Sequence, residues 1–567
     1  MKKLFLLFAV YTLLFNCKNN ENSYKIEQSI VQQDYFNNPI LAGWYPDPSI
    51  TDDGKGNYYM VCSTFAYYPG IPIFHSKDLV NWKQIGNVLD RPEQLDLEGF
   101  GVSRGIFAPD ISYNDGIFYV TSTLVDGKGN FVVTTRDPAG NWSSPVWLPE
   151  VSGIDPGLFF DDEKAYLVYN SDAPDNKPLY EGHRTIRLIE FDKDSLKTIR
   201  ENRIIVNGGV DISEKPIWAE GPRIYKLNGY YYLMTAEGGT AVNHSEVIYR
   251  TKNIDSSFVP YKNNPILTQR NLDPDRENPI TSAGHADIVQ HPNGEWYGVF
   301  LACRDYGNNN YNTGRETFLA PVKWVDNWPV FDLKGEKIKY QYTLPEGVEI
   351  NHDLFPLNGN FTFKDEFDKD TLNFNWMFLR TVNDKWYSLS DDKLVLKTRP
   401  ETISGKSNPS FIGHRQQHLK CEASVSMSFK PVSESEQAGL VAFIDEDNYY
   451  YINVSSKDNQ PIVQLIKGLK GDNKGEVIAS KQISLVRDNI QLKIQADKDI
   501  YNFYYKNEES WKTLAEKLSA EYLSPTYDGL DFVGVTFALY TTSNNKQSDN
   551  KAFFNWFEYV GNDDVFN

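Results

Sequence analysis

A fivefold repeat is the feature of this sequence that most restricts the fold. Each copy has a short segment with an aliphatic residue, a turn rich in Asn, Asp and Gly, and then an aromatic-rich segment such as Tyr230–Thr235. Two short segments joined by a turn of this kind are typical of a β-hairpin. The aliphatic residues that align across the five copies are Ile50, Ile111, Leu158, Ile224 and Ile288.

The spacing between the copies is uneven, and it distinguishes two kinds of repeat protein. Consecutive aligned residues are 61, 47, 66 and 64 positions apart. A solenoid needs a regular period, whereas the blades of a β-propeller tolerate loops of different length. The repeat therefore predicts an all-β domain over residues 37–332, a five-bladed β-propeller. A plain β-sandwich with coincidental hairpin signals is the alternative.

The rest of the chain predicts a second all-β domain. Residues 333–360 are charged and punctuated by Pro and Gly without a sustained period, which is typical of a linker. Residues 361–567 contain short alternating segments at regular spacing, and these predict an antiparallel β-sandwich. Within this domain Trp511, Leu514 and Leu518 have helical spacing and indicate one short helix.

The N-terminus predicts an exported protein. Two lysines precede an apolar run, residues 4–15, that is shorter than the roughly 20 residues needed to span a bilayer. Cys17 follows this run, an arrangement that resembles a bacterial lipoprotein signal, with residues 1–16 as the signal peptide and Cys17 as the lipidated first mature residue. Cleavage without lipidation is the alternative. We expect a flexible segment over residues 17–36 and a location in the periplasm or at the outer membrane.

Composition and missing motifs exclude several functions. The net charge is −19, and an acidic chain repels phosphate backbones and anionic lipid. We therefore expect no nucleic-acid partner, and membrane contact only through a lipid anchor. The sequence has no GxSxG elbow, no P-loop and no HExxH motif. Aromatic residues make up 14% of the chain, and aromatic-rich β surfaces often bind sugars.

Three of the five repeat copies open on a carboxylate. These residues are Asp47, Asp155 and Glu220; His285 opens the fifth copy, and Asp110 lies nearby in the second. The innermost strands of a propeller line a central channel, so the three acids are expected to converge there. Acids held close raise each other's pKa and tend to mark function, although an Asp or Glu before Pro or Gly also caps turns. Two carboxylates in an aromatic-rich channel suit glycoside hydrolysis.

The residues around these acids form part of a set of eight motifs. The motifs are Tyr45-Pro-Asp-Pro-Ser-Ile50, Ser63-Thr-Phe65, Ile106-Phe-Ala-Pro-Asp110, Ile154-Asp-Pro156, Ala219-Glu-Gly-Pro222, Ala236-Glu-Gly-Gly239, Gly284-His-Ala-Asp287 and Gly314-Arg-Glu316. With these motifs the sequence resembles glycoside hydrolase family 43, from about residue 38 to the end. The resemblance is strongest for the branch of β-xylosidases and α-L-arabinofuranosidases that has a C-terminal concanavalin-like sandwich.

The resemblance implies an exo-acting enzyme with an inverting mechanism. Asp47 would be the general base, and Glu220 would be the general acid, protonated because of its high pKa. Asp155 would stay ionised, raise the pKa of Glu220 and orient it. The substrate would be an oligo- or polysaccharide derived from xylan or arabinan, which loses terminal α-L-arabinofuranose or β-D-xylose. Residues 211–218 differ from those expected in dedicated β-xylosidases, which favours arabinofuranosidase or dual activity. A non-catalytic, surface-anchored glycan-binding lipoprotein is the alternative.

The resemblance also implies substrate-binding residues. Phe65 and Phe107 match aromatic walls around the terminal sugar, although both suit ordinary core packing. Arg315 matches an arginine that hydrogen-bonds sugar hydroxyls, and an ion pair with Glu316 is its alternative. His285 matches a histidine that binds a central cation in several relatives. No cofactor is required, and His285 is either next to a structural Ca²⁺ or a hydrogen-bonded channel histidine.

The second domain is expected to help close the active site. In related enzymes one of its loops covers the pocket, and the matching segment here is predicted to be Tyr540–Asn550. Such a cover leaves a pocket that admits only a chain end. A structural sandwich braced against the propeller is favoured over a carbohydrate-binding one, because fold alone does not give function.

Overall fold

The computed structural model describes residues 24–27, 34–484 and 489–567. The predicted signal peptide, residues 1–16, and Cys17 lie outside these residues. Within the described residues the helices are four short 3₁₀ turns: Pro174–Asn176, Ile212–Glu214, Glu521–Leu523 and Asp564–Phe566. Among the same residues, no helix has the length and apolar character needed to cross a membrane.

A five-bladed β-propeller follows two N-terminal strands, as the repeat predicts. The N-terminal strands are β1 (Tyr24–Glu27) and β2 (Tyr35–Asn37). The first repeat holds β3 (Ser49–Asp52), β4 (Tyr58–Val61), β5 (Tyr67–Tyr68), β6 (Gly70–Ser76) and β7 (Lys83–Leu89). All of them except β5 pair in the sheet of the first blade. The second blade holds β8 (Gly105–Ile106), β9 (Asp110–Asn114), β10 (Ile117–Val125), β11 (Gly129–Thr135) and β12 (Val146–Trp147).

The remaining three blades repeat the same antiparallel order. The third holds β13 (Ile154–Asp161), β14 (Lys164–Asp172), β15 (Arg184–Asp192), β16 (Lys197–Thr198) and β17 (Arg203–Asn207). The fourth holds β18 (Glu220–Leu227), β19 (Tyr230–Glu237), β20 (Ser245–Thr251), β21 (Val259–Pro260) and β22 (Leu267–Thr268). The fifth holds β23 (Ile280–Gln290), β24 (Trp296–Arg304), β25 (Arg315–Val325) and β26 (Trp328–Phe331).

One strand of each blade lies next to the propeller axis. These inner strands are the segments with the aligned aliphatic residues, and they contact each other in the order β3, β9, β13, β18, β23 and back to β3. Each is followed in the chain by the antiparallel strand that pairs with it. Residues at matching repeat positions are therefore brought to the same level of the channel.

The C-terminal part of the chain forms two stacked antiparallel sheets, as predicted. The strands of this part are β27 (Gln341–Thr343), β28 (Phe361–Asp365), β29 (Met377–Leu379), β30 (Tyr387–Leu389), β31 (Leu394–Lys397), β32 (Ser410–Arg415), β33 (Lys420–Ser428), β34 (Gln437–Phe443), β35 (Tyr449–Lys457), β36 (Gln460–Leu469), β37 (Asp472–Gln482), β38 (Ile490–Asp497), β39 (Ile500–Lys506), β40 (Lys512–Ser519), β41 (Thr536–Thr542) and β42 (Lys551–Gly561). One sheet has nine strands, in the order β1-β28-β42-β33-β38-β39-β40 with β31 and β30 beside β42. The other has eight, in the order β37-β36-β35-β34-β41-β32-β29-β5.

The two domains share strands and a buried ion cluster. Strand β5 of the propeller region pairs with β29 and extends a sheet of the sandwich. Strand β1, in the segment expected to be flexible, pairs with β28, and β27, in the predicted linker, pairs with β2. Buried Arg304 forms ion pairs with Glu316 of its own blade and with Asp563 of the sandwich. Shared strands and a shared buried charge fix the sandwich against the propeller.

One secondary-structure prediction in the sandwich is wrong. Residues 511–518 were expected to form a short helix, but β40 (Lys512–Ser519) is an edge strand that pairs with β39. Only Leu514 of the three spaced apolar residues is fully buried. The helical spacing is therefore not matched by a buried helical face, and pairing with β39 determines the conformation.

Candidate active site

One end of the propeller channel is built from a backbone conformation that four blades share. Three positions before the aligned aliphatic residue, Asp47, Asp155, Gly221 and His285 have φ values of 55°, 55°, 57° and 52°. This left-handed conformation costs a side-chain-bearing residue roughly 1–2 kcal/mol, and Asp and His are among the residues in which it is enriched. Strain of this kind, repeated around one axis, is typical of a functional site.

The strand starts surround a cavity of about 490 Å³. A pocket of this size is in the range that holds a small ligand. The structure brings together all seven residues predicted for catalysis, substrate binding or metal binding. They are Asp47, Phe65, Phe107, Asp155, Glu220, His285 and Arg315.

Asp47 is held as a carboxylate. Ser63 Oγ donates a hydrogen bond to its Oδ2 at 2.6 Å, and Arg315 Nη1 donates one to its Oδ1 at 3.2 Å. Burial by itself would raise the pKa of Asp47, but Arg315, His285 and the Ser63 hydroxyl together lower it below its ordinary value. The group can therefore accept a proton at neutral pH, and it carries a negative charge before it does so.

Glu220 has the opposite environment. It begins β18, and its carboxyl group has no hydrogen-bond donor among the described residues. Burial first, and then the Asp155 and Asp47 carboxylates, raise the pKa of Glu220 well above its ordinary value. A carboxyl group without donors and near two acids is stabilised in its protonated form. Glu220 can therefore donate a proton at neutral pH.

Asp155 differs from the expectation that it stays ionised. Its Oδ2 accepts a hydrogen bond from the backbone N–H of Gly221 at 3.0 Å, which ties it to the residue after Glu220. Burial first, and then the Asp47 carboxylate, raise the pKa of Asp155 to about 7. Asp155 and Glu220 therefore interact as a pair that favours holding a proton over carrying two negative charges.

Arg315 faces the cavity and does not pair with Glu316. Besides Asp47, its Nη1 donates to Thr240 Oγ1 at 2.9 Å. Glu316 instead accepts hydrogen bonds from Arg304 at 2.6 and 2.9 Å, so the alternative ion pair predicted for Arg315 is wrong. The guanidinium carbon of Arg315 also lies 5.7 Å from the ring centre of Phe65. These contacts hold the arginine beside the proposed base.

Three aromatic rings form one wall of the cavity, and one of them was not predicted. Phe65 and Phe107 meet edge to face, with ring centres 5.5 Å apart. Phe532 of the sandwich completes the wall at 5.9 Å from Phe65 and 5.5 Å from Phe107. Leu530 lines the cavity from the same loop. The sandwich therefore does contribute to the pocket.

The prediction that the loop covering the pocket is Tyr540–Asn550 is wrong. Tyr540–Asn550 does not line the cavity, and its first residues belong to β41. Within the segment, Ser548 and Asn550 hydrogen-bond Glu436 at 2.7 Å, inside the sandwich. The loop just before β41, which carries Leu530 and Phe532, takes the position instead.

His285 is a buried, neutral residue of the channel. Burial first, and then the charges of Arg223 and Arg315, lower the pKa of His285 to about 3, against the opposing effect of the Asp47 carboxylate. Its Nδ1 lies 3.8 Å from Asp47 Oδ1, and its Nε2 has no hydrogen-bond partner in the described structure. The ring packs on Gly221, where a Cβ atom would lie 2.9 Å from Nε2. Glycine at this position makes room for the imidazole.

The other end of the channel holds a second group of buried charges. Asp110, expected near the three acids, lies here with Asp287 and the buried Arg223, whose Nε is 3.0 Å from Asp110 Oδ1 and 3.7 Å from Asp287 Oδ2. Ser49 Oγ hydrogen-bonds both carboxylates, at 3.3 and 3.0 Å. Tyr225 donates to Asp287 Oδ1 at 2.6 Å. Sequence reasoning missed this network.

A signal for the second network was present in the repeat. Apart from Tyr225, its residues stand one position before the aligned aliphatic residue, and therefore two positions after the left-handed residues at the first end of the channel. Side chains two apart on a strand point to the same side, so both sets face the axis at different levels. The residues at this position are Ser49, Asp110, Gly157, Arg223 and Asp287.

Two family models cover most of the chain. Residues 36–329 match the model described as glycosyl hydrolases family 43, and residues 364–560 match the β-xylosidase C-terminal concanavalin A-like domain. The second match agrees with the concanavalin-like sandwich that the resemblance implies.

Curated relatives and solved structures extend along nearly the whole chain. A xylosidase/arabinosidase of Butyrivibrio fibrisolvens is 39% identical over 92% of this chain and 98% of its own. A non-reducing end α-L-arabinofuranosidase of Bacteroides ovatus is 36% identical over 93% of this chain and 95% of its own. A solved Bacteroides ovatus structure titled xyloglucan PUL GH43B superposes with a TM-score of 0.83 at 35% identity, covering 93% of this chain and all of that one.

Proposed function

The chain belongs to glycosyl hydrolases family 43, and we propose that it is an exo-acting enzyme that releases terminal pentoses from xylan- or arabinan-derived glycans by inversion. The observation that carries the proposal is the contrast between two carboxyl groups in one cavity. Asp47 is stabilised as an anion by Arg315 and Ser63, whereas Glu220 is stabilised as a neutral acid. Opposite protonation states at neutral pH are what a general base and a general acid need.

Asp47 acts as the base. A water molecule attacks the anomeric carbon of the terminal sugar while Asp47 takes one of its protons. The Arg315 guanidinium and the Ser63 hydroxyl fix the orientation of this carboxylate before the reaction. Because the water approaches from the face opposite the leaving group, the product has inverted anomeric configuration, and base and acid must stand about 6.5–9.5 Å apart.

Glu220 acts as the acid. Its proton passes to the glycosidic oxygen as the bond between that oxygen and the anomeric carbon breaks. The electron pair of the broken bond leaves with the oxygen, so the departing sugar is released as a neutral alcohol. Glu220 becomes an anion at this step and regains a proton from solvent before the next turnover.

Asp155 is a positioning residue. Through the Gly221 amide it fixes the backbone that directly follows Glu220. Its charge also contributes to the high pKa of Glu220, second only to burial. Because its own pKa is raised as well, Asp155 is not ionised at every pH. It favours the protonated form of Glu220 because two negative charges at this pair are unfavourable.

The size of the cavity and the names of the relatives support the proposed substrate class. Phe65, Phe107 and Phe532 close one side, so the cavity of about 490 Å³ suits one terminal sugar better than the middle of a chain. Relatives are named as xylosidase/arabinosidase and as α-L-arabinofuranosidase. We propose dual activity on α-L-arabinofuranosides and β-D-xylosides.

The alternative of a glycan-binding protein without catalysis has no observation that favours it. Binding alone does not need a stabilised anion and a stabilised acid in the same cavity. The relatives named above carry the names of glycosidases, and the match covers nearly their whole length.

A panel of aryl glycosides tests the proposal. We expect p-nitrophenol release from both the α-L-arabinofuranoside and the β-D-xyloside, and not from hexosides. Proton NMR of the first product should show the anomer opposite to that of the substrate. A first-formed product with retained configuration, or no release from either pentoside, contradicts the proposal.

We further propose that the protein is exported and anchored by a lipid on Cys17. The support is the sequence alone: two lysines, a short apolar run and a cysteine directly after Asn16. Cells grown with an alkyne analogue of palmitate should label the wild-type protein and not the Cys17→Ala variant. Equal labelling of both, or of neither, contradicts the anchor.

A structural calcium ion near His285 remains a proposal. Calcium takes six to eight oxygen ligands, whereas the free atom here is one imidazole nitrogen. The described residues contain no group of three or more His, Cys, Asp and Glu side chains placed to hold a metal. Direct coordination by side chains therefore does not fit, and we derive no step through a metal. Elemental analysis of the purified protein tests the proposal.

A further inference from the structure

The mouth of the cavity has an exposed apolar rim beside Glu220. Trp218, Ile217 and Leu530 line the cavity and remain 39%, 40% and 39% exposed. Large apolar side chains that pack a core are buried, whereas a group of exposed ones at a pocket marks a binding surface. We call these three side chains the rim.

Trp218 is held in a conformation that bulky residues avoid. Its φ is 53°, in the left-handed region. For a bulky residue this is a genuine outlier, and it persists because both sides of the segment are fixed. The N–H of Trp218 donates to the Gly182 carbonyl at 2.8 Å, and the Ile217 carbonyl accepts from the Gly238 N–H at 2.8 Å.

Arg184 braces the indole ring and links it to the acid. The guanidinium carbon lies 4.9 Å from the ring centre of Trp218. Arg184 is itself fixed by Asn170, whose Oδ1 accepts from Nε at 3.0 Å and from Nη2 at 2.6 Å. The Asn170 side chain donates in turn to the carbonyl of Ala219, the residue between Trp218 and Glu220. The same network therefore positions the ring and the backbone before the acid.

We propose that Trp218 is the platform for the leaving-group sugar, the unit that remains after the terminal pentose is released. The inference rests on the proposed function, because it takes Glu220 as the acid. The leaving oxygen must lie within hydrogen-bond reach of Glu220, so the sugar attached to it lies next to a residue two positions away in the chain. An exposed indole offers an apolar face to the C–H face of a neutral sugar and restricts it at low entropic cost.

The proposal identifies a determinant of specificity. An oligosaccharide contacts both the aromatic wall of Phe65, Phe107 and Phe532 and the rim, whereas a free pentose contacts the aromatic wall alone. Trp218 should therefore contribute to the binding of the oligosaccharide and not to that of the monosaccharide.

Binding to an inactive enzyme tests this directly. The probes are xylotriose or arabinotriose, whichever the wild-type enzyme hydrolyses, and the free pentose of the same kind. In a Glu220→Gln background, calorimetry should show that Trp218→Ala weakens trisaccharide binding about ten- to a hundred-fold relative to pentose binding. Trp218→Phe should keep most of the affinity. Val242→Ala, at an exposed residue outside this cavity, is the matched control.

Kinetics separate a platform from an indirect effect on the acid. In the active enzyme Trp218→Ala should raise KM for the trisaccharide, with the larger share of the effect in KM rather than kcat. A fall in kcat at unchanged KM, an equal loss of affinity for trisaccharide and pentose, or no loss for either overturns the platform. Hydrolysis of the trisaccharide by Glu220→Gln itself is a different failure, because it overturns the proposed function.

Discussion

Two groups of buried carboxylates lie at the two ends of one channel, and they differ in how their charge is compensated. At the end near Arg223, each carboxylate oxygen of Asp110 and Asp287 has a donor within hydrogen-bond distance. At the end that opens into the cavity, Asp47 is well compensated and Glu220 has no donor among the described residues.

The difference separates structural acids from reactive ones. Carboxylates that have a donor at each oxygen and a buried arginine beside them are held in place as part of the fold. A carboxyl group left without donors is costly to ionise, and this is the property that an acid catalyst needs. Convergence on the axis alone does not distinguish the two groups, because both converge.

The largest expected effect comes from isosteric changes at the cavity end. Asp47→Asn and Glu220→Gln should each reduce kcat on an unactivated phenyl pentoside by about 10²–10⁴-fold, because each removes one proton-transfer group. Asp110→Asn is the matched variant at the other end, and it should change kcat far less. If Asp110→Asn reduces kcat as much as Glu220→Gln does, the distinction between reactive and structural carboxylates is wrong.

The next effect is on stability, at the other end of the channel. Arg223→Met leaves Asp110 and Asp287 buried without their cation, and it should cost about 3–5 kcal/mol in the free energy of unfolding. Urea unfolding measures this cost. Lys226→Met removes an exposed cation of the same strand, paired with Asp161, and should cost far less because solvent screens an exposed ion pair. Equal costs would mean that the Arg223 network is not the structural element proposed.

The repeat made part of this site predictable. Asp47, Asp155 and His285 occupy the same position in three copies, and alignment alone placed them on one axis. Glu220 stands one residue earlier, and the register shift between Glu220 and Arg223 brings it to the same cavity.

Other parts of the molecule depend on contacts that no local pattern contains. Phe532 reaches the pocket from a domain more than 400 residues away in sequence from Phe65 and Phe107. Its loop is placed by the packing of the sandwich, including the pairing of β5 with β29. The mistaken helix at β40 has the same origin, because strand pairing overrode a weak local spacing.

A change at Asp155 should move the pH profile. Removal of its negative charge in Asp155→Asn stabilises the Glu220 anion, so the pKa of Glu220 falls and the alkaline limb of kcat/KM moves to lower pH. The acid limb, which reports Asp47, should move less. We expect kcat at neutral pH to fall about ten- to a hundred-fold. An alkaline limb that stays in place or moves to higher pH contradicts the role of Asp155.

The smallest effect concerns the wall that the sandwich supplies. Phe532→Ala should raise KM for an aryl pentoside about ten-fold, because the terminal sugar loses one of three aromatic contacts. Trp511→Ala removes a partly exposed aromatic residue of the sandwich that does not line the cavity, and it serves as the control. If both variants keep the wild-type KM, the sandwich has no part in substrate binding.

The dependence of the rate on the leaving group tests the central claim most directly. An enzyme without its general acid loses little activity on a leaving group that departs without a proton. Glu220→Ala should therefore keep kcat/KM within about ten-fold of wild type on a 2,4-dinitrophenyl pentoside and lose about 10³-fold on an unactivated phenyl pentoside. The same loss on both substrates would contradict the assignment of Glu220 as the acid that protonates the leaving oxygen.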